Sequence, residues 1–309
     1  MGRERRRIYT MSSSRRRYDL LQKRLDQFTR MLHGLGEGDV RALHRTRVAS
    51  RRLREILPVL QLKSDLSERL GRRLRKVTTL LGPVRELDVL ADLVAELQES
   101  GRYDSQVFRR VATVIAAERA HARNRLDSKL STDELERLAR KLDKIAGDLR
   151  DRKPSRGWRW VVDARATRRA TTLTAALDAA GSMYLPERLH DVRIALKKFR
   201  YALEISAEAA GLKPTADVRA LKRHQDILGR LHDVQVLIDR VRQIQPTLAP
   251  PDVTMWRKID ALSALLENDC RRLHAKFLRQ QGSVRAICER VTRVARATET
   301  VPARRAEAS

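Results

Sequence analysis

His44-Arg45-Thr46-Arg47-Val48-Ala49-Ser50-Arg51-Arg52-Leu53-Arg54 returns later in the chain as His190-Asp191-Val192-Arg193-Ile194-Ala195-Leu196-Lys197-Lys198-Phe199-Arg200. In both stretches a histidine is followed by basic residues three, seven, eight and ten positions on. The apolar positions match as well: Val48 with Ile194, Ala49 with Ala195, Leu53 with Phe199, Leu57 with Leu203. A repeated register of this kind points to a duplicated helical unit that presents positive charge twice.

On a wheel of 100° per residue, Arg47, Arg51 and Arg54 fall within roughly a quarter-turn on one side of His44. Ala49, Leu53, Ile56, Leu57 and Leu60 gather opposite. The second copy divides the same way, His190, Arg193, Lys197 and Arg200 against Ala195, Phe199, Ala202 and Leu203. Each helix therefore has one face for a core and one for an anion. The stripe is about 15 Å long, suited to an extended polyanion. Arg52 and Lys198 lie on its flank. A charged face usually meets only water. Here the first stripe has Glu55 as its sole acidic neighbour, with no alternating Glu at i±4 along it to neutralise it. Arginine also grips phosphate bidentately where lysine acts as a point charge.

The 309 residues carry 66 Lys and Arg against 39 Asp and Glu, a formal charge of +27. That balance points to nucleic acid, an anionic surface or another polyanion. A hydrophobic content of 42% supports a core, and aromatics at 4% make it mostly Leu, Val, Ala and Ile. Glycine and proline are sparse, which favours long helices. No apolar run approaches the ~20 residues of a membrane span. The basic N-terminus has no hydrophobic run behind it, so no secretory signal is read. Cys270 and Cys288 form no ligand cluster and are read as reduced thiols, consistent with a cytoplasmic protein.

The expected fold is all-α, with two bundle-like halves. Residues 1–14 read as a disordered basic leader, 15–150 as the first half, 151–157 as a linker with both Pro and Gly, 158–295 as the second half and 296–309 as a flexible tail. Residues 34–38 read as a turn, and Thr132 or Asp133 as a helix cap. Gly82-Pro83 should end one helix. Gly229 should do the same between helices at 215–228 and 231–244, and residues 252–280 and 283–295 should form the last two.

The repeat extends beyond the stripes. Leu81-Gly82-Pro83-Val84-Arg85-Glu86-Leu87-Asp88-Val89-Leu90 aligns with Leu228-Gly229-Arg230-Leu231-His232-Asp233-Val234-Gln235-Val236-Leu237. Before it, Arg72, Leu74, Arg75 and Lys76 align with Arg219, Leu221, Lys222 and Arg223. Arg75 with Lys222, and Arg85 with His232, could bring positive charge from neighbouring helices. The bland alternative is that Arg85-Glu86 and His232-Asp233 only hold the helix junctions together.

His-x-x-Arg-Val-Ala-x-Arg-Arg-Leu-Arg at 44–54, His-x-x-Arg-Ile-Ala-x-Lys-Lys-Phe-Arg-Tyr-Ala-Leu-Glu at 190–204 and the paired Leu-Gly segments resemble the CHAD family, the conserved-histidine α-helical domain. The resemblance covers roughly residues 15–295. It implies an all-helical fold of two halves related by pseudo-twofold symmetry, and binding of inorganic polyphosphate in a basic groove or pore. It also implies association with polyphosphate or polyhydroxyalkanoate granules. Carried over by position, the polyphosphate ligands are His44, Arg47, Arg51, Arg54, His190, Arg193, Lys197 and Arg200. Arg52, Arg75, Lys76, Arg85, Lys198, Lys222, Arg223 and His232 stand in support. Two departures matter: Lys197-Lys198 replaces the family's more usual arginine, and His232 stands where an acidic or polar residue is common.

The leading expectation is thus a polyphosphate binder, with no cofactor, no metal and no catalytic residue. Its affinity should fall with salt and rise below about pH 6.5 as the histidines protonate. A nucleic-acid (RNA) binding protein is the alternative, and weak non-specific nucleic-acid binding is expected of any such groove, but Trp158, Trp160 and Trp256 do not interleave with the stripes to form a stacking platform. A phosphate-transfer or hydrolytic enzyme would need a carboxylate cluster for Mg²⁺. Only Glu86, Asp88 and Asp233 are candidates for one.

Overall fold

Every described element of the computed structural model is helical, and no strand occurs among the described residues. These residues are 2–151, 157–213, 215–244 and 253–306, with side chains described from residue 15 to residue 294 apart from Ser105. Helix α1 spans Gly2–Thr29. It starts before the expected residue 15 and runs through the segment read as a leader, which holds neither Pro nor Gly after Gly2 to stop it. The turn expected at 34–38 is a short helix, α2 (Leu32–Gly36). The first stripe helix, α3 (Val40–Ile56), opens on Asp39, whose carboxylate accepts from the Arg41 N–H at 2.8 Å. Pro58 does not extend it: residues Leu57–Val59 tighten into a 3₁₀ turn.

Helices α4 (Ser64–Leu80) and α5 (Gly82–Glu99) part at Leu81, with Pro83 in the first turn of α5 where a missing N–H costs nothing. Helices α6 (Ser105–Asp127) and α7 (Thr132–Asp151) complete the first half. The α7 cap is Ser131, whose Oγ accepts from the Glu134 N–H at 3.2 Å, rather than Thr132 or Asp133. Most of the linker read at 151–157 lies outside the described residues. Helix α8 (Trp158–Ala180) follows, then the second stripe helix α9 (Pro186–Ala210), opened by Pro186 and closed by Gly211 at φ 75°.

Two expected breaks are absent. Helix α10 (Ala216–Ile244) runs straight through Gly229, because Arg230 stands where the first half has Pro83 and supplies a normal backbone N–H. Helix α11 (Val253–Ala306) likewise runs through Gly282 and past the expected tail boundary at residue 296. An isolated glycine weakens a helix by only about 1 kcal/mol, too little to break one packed along a bundle.

The core forms two clusters. One joins the first half to α8's start and to the adjoining ends of α9, α10 and α11. The other fills the far end of the four-helix bundle α8–α11, around Leu173, Leu196, Phe199, Leu228 and Phe277. The apolar faces read from the wheel lie in this core: Leu53, Ile56, Leu60 and Phe199 are fully buried. Val48 and Ile194, at the edge of those faces, are half-buried. Between the halves, like meets like. Stripe helix α3 packs on stripe helix α9, α5 packs on α10, α1 lies on α9, and α8 lies on the 3₁₀ turn after α3. The fully buried Trp158 indole donates to the Val59 carbonyl at 2.6 Å across this seam.

Candidate anion-binding site

Because α3 and α9 each bury one face, the opposite faces must turn toward one another or toward solvent. They do the first at their centres. Arg47 and Arg51 on α3 lie within electrostatic reach of Arg193 and Lys197 on α9. Among the described residues none of these four pairs with a carboxylate within 4.0 Å. The Arg47 Nε–H is buried and has no hydrogen-bond partner, and neither does Nδ1 of His44. Burial and the neighbouring guanidinium groups together weaken the hold of Arg47 on its proton. Lys197 shows the effect most strongly. Burial first, then Arg51, Arg193, Arg47 and Lys198, push its ammonium down to about 7.

Glu55, which the sequence left as the stripe's one acidic neighbour, faces α8. Its carboxylate meets Arg165 at 2.7 Å and Arg169 at 3.7 Å. Arg54, next to it in sequence, also feels its field, against the opposing charges of Arg51 and Arg75. The centre of the stripe forms no ion pair within 4.0 Å among the described residues; Asp233 acts on Arg193 and Glu86 on Arg47 only through the longer-range field.

The two histidines sit in matching clefts. One, of 540 Å³, is lined by Arg41, His44, Arg45, Arg85, Asp88 and Arg119. The other, of 300 Å³, is lined by Glu187, His190, Asp191, His232, Gln235 and Asp239. Arg85 and His232, aligned in sequence, thus occupy the same place beside their histidines. Burial, followed by Arg85 and Arg47, lowers the His44 pKa. Burial, followed by Arg193, lowers His190. His232 falls to about 4 through burial, Arg193, His190 and Lys197. The expected protonation near pH 6.5 is therefore displaced downward in the unliganded protein. The two imidazoles on α9 and α10 touch, Nδ1 to Nδ1 at 3.4 Å.

Other candidates are placed differently. Arg200 is buried and committed to Glu204, with a second bond to Gln225 Oε1 at 2.9 Å and its guanidinium stacked over Tyr201. It braces α9 to α10, and because Glu204 one turn on reaches back to it, its guanidinium is engaged within the protein, unlike those of Arg47, Arg51 and Arg193. Arg52 shares Glu204 at 3.8 Å and also lies over Tyr201. Lys76 pairs with Glu134 at 3.1 Å and Lys222 with Asp226 at 3.0 Å, both on exposed surface. Arg75 and Arg223 are exposed, and Lys198 is half-buried beside Lys197.

The carboxylates divide too. Asp88 is buried against Arg119 at 2.6 Å. Asp233, its pKa raised by burial, is within reach of Arg193, Arg230, Arg85 and Glu86. A third cleft, of 300 Å³, opens beside it and is lined by Arg193, Lys197, Gln225, Asp226, Arg230 and Asp233. Sequence reasoning missed Arg41, Arg45, Arg119 and Arg230. Arg41 and Arg45, one turn before His44 and one residue after it, were legible on the wheel. Arg119 and Arg230 arrive from other helices, and Arg230 is held by a bidentate pair with Glu96 at 2.7 and 2.8 Å.

Solved structures share the fold. The CHAD domain from the plant Ricinus communis is 19% identical, with a TM-score of 0.58 over 92% of this chain and 91% of that one. PptA from Streptomyces chartreusis is 20% identical, with a TM-score of 0.54 over 91% of this chain and 98% of that one. A comparison with curated proteins finds no match. The sequence profile of the CHAD domain matches residues 19–242, from α1 to the end of α10. That stretch holds both stripes, both histidine clefts and the α3–α9 seam between them, and the chain belongs to the CHAD domain family.

Proposed function

We propose that the chain binds linear inorganic polyphosphate between α3 and α9. The observation that carries this reading is the cluster Arg47, Arg51, Arg193 and Lys197: four cationic side chains, half-buried, mutually repelling, and without an ion pair among the described residues. A thread of phosphates supplies the missing counter-charge along the whole stripe, and guanidinium groups bind its oxygens by charge-assisted hydrogen bonds. The matched histidine clefts and the like-with-like packing of α3 on α9 and α5 on α10 support an internal duplication, with the ligand on its dyad.

The role is that of a binder rather than an enzyme. Asp88 is taken up by Arg119, and Asp233 faces arginines; neither is set out with partners as a cation-binding cluster. Family membership adds polyphosphate as the expected ligand, and a place on polyphosphate granules in the cytoplasm is the cellular form of the same proposal.

The test is binding of polyphosphates of graded length at several salt concentrations. Chains should bind well above triphosphate, with the logarithm of the binding constant falling linearly with the logarithm of the salt concentration. RNA at equal charge concentration should compete poorly. Length-independent binding, or displacement by RNA, would replace this reading with general polyanion capture.

A further inference from the structure

One residue at the centre of the site is chemically unlike its counterpart. Lys197 occupies the place in the second stripe that Arg51 holds in the first. A guanidinium is inert to acylation; a primary amine is a nucleophile once it loses its proton. Lys197 lines a 300 Å³ cleft, so it is half-buried yet reachable. The charged and titratable groups around it are Arg47 and Arg51 on α3, His190, Arg193 and Lys198 on its own helix, and Asp226, Arg230, His232 and Asp233 on α10. Asp226 is engaged by Lys222 and Arg230 by Glu96.

From this arrangement we propose that Lys197 is a site of acylation by small acyl phosphates, and that this modification and polyphosphate occupancy exclude one another. The inference rests on the anion-binding reading of the same cluster. The phosphate of an acyl phosphate docks on Arg193 and the α3 guanidiniums, which sets its carbonyl beside Nζ. The Nζ lone pair adds to the acyl carbon and forms the amide C–N bond. The C–O bond to phosphate breaks, inorganic phosphate leaves with the electron pair, and the proton released by nitrogen goes to it. Because the ammonium is held down to about 7, a large fraction of Lys197 is already neutral at physiological pH. The product amide can no longer take up a proton when an anion arrives, so the site cannot present its fourth cation to polyphosphate.

The test uses the full-length chain, acetyl phosphate at pH 7.5, and peptide mapping by mass spectrometry. Lys197 should be acetylated at least about tenfold faster than the exposed Lys222, whose ammonium is paired with Asp226. Acetic anhydride, which carries no phosphate to dock, should show a smaller preference. Long-chain polyphosphate should suppress the Lys197 reaction and leave Lys222 unaffected. Equal rates at Lys197 and Lys222 would overturn the inference while leaving polyphosphate binding, measured on unmodified protein, untouched. Selective acetylation that polyphosphate does not slow would overturn the claim of exclusion; combined with absent polyphosphate binding, it would remove the proposed function and leave a reactive lysine.

Discussion

Nδ1 of His190 lies 3.4 Å from Nδ1 of His232. At that distance one nitrogen donates and the other accepts, so at least one of the two imidazoles must be neutral. Both pKa values are lowered, His232 to about 4, with burial as the first cause in each. A group whose folded pKa lies below its unfolded value contributes stability that is whole above the unfolded pKa and is lost as pH falls through the folded one. The window here runs from about 6.5 down to about 4. Thermal stability of the ligand-free protein should decline across it, and His232→Gln should flatten the decline. A melting temperature unchanged between pH 7 and 4.5 would mean that folding does not lower the pKa values of the pair.

Polyphosphate should reverse that preference. An anion beside the cluster favours the protonated forms of His44, His190 and Lys197, so binding must take up protons. Titration calorimetry near pH 7 in two buffers of different ionisation enthalpy should give different apparent heats, with net uptake. Equal heats in both buffers would show that these groups do not sense the ligand.

Lys197 fixes the alkaline side. Its folded pKa of about 7 is below the ordinary lysine value. Polyphosphate affinity should therefore weaken as pH rises from 7 toward 9, over a range where arginine keeps its charge. Lys197→Arg should hold the affinity level over that range. The same linkage predicts that the ligand-free protein gains stability from this group as pH rises from 7 toward 10.5, where its unfolded form also loses the proton. A variant whose affinity falls as steeply as the parent's would assign the pH dependence elsewhere.

The architecture was open to sequence reading because α3 and α9 repeat one amphipathic register: the positions opposite the stripe, Leu53, Ile56 and Phe199, are all buried. The centre of the site followed from the same wheel, which turns Arg47, Arg51, Arg193 and Lys197 off the core. What escaped was contributed by other elements. Gly229 was read as a break by analogy with Gly82, yet the breaking residue was Pro83, which has no counterpart. Arg200 shares the angular position of its stripe but meets Glu204 and Gln225, a neighbourhood that depends on how α9 lies on α10. The lowered histidine pKa values come from depth of burial, which spacing along one helix does not reveal.

Arg200 and Arg51 should consequently fail in different ways. Arg200→Ala leaves Glu204 without its main partner in a largely buried setting, where breaking an ion pair costs about 3–5 kcal/mol. Arg51→Ala removes a cation that the protein itself leaves unpaired among the described residues. It should leave the melting temperature level or higher while weakening polyphosphate binding. Denaturant melts and binding assays on the two variants separate the roles. An Arg200→Ala protein that is fully stable and merely binds less would return Arg200 to the ligand set.

The strongest test of the site joins the two helices. Arg47→Glu with Arg193→Glu reverses charge on both sides of the α3–α9 seam, at positions turned away from the core. Hydrogen bonds to charged groups are worth about 1.5–3 kcal/mol each, so losing two should weaken binding by at least about a hundredfold before the added repulsion is counted. Helical content by circular dichroism should not change, because Leu53, Ile56, Leu196 and Phe199 still fill the opposite faces. Each single reversal should lose less than half of the double variant's effect in free energy if the two arginines grip one thread from opposite sides, since the remaining stripe still holds it. Strict additivity would instead point to two independent anion sites, one on each helix.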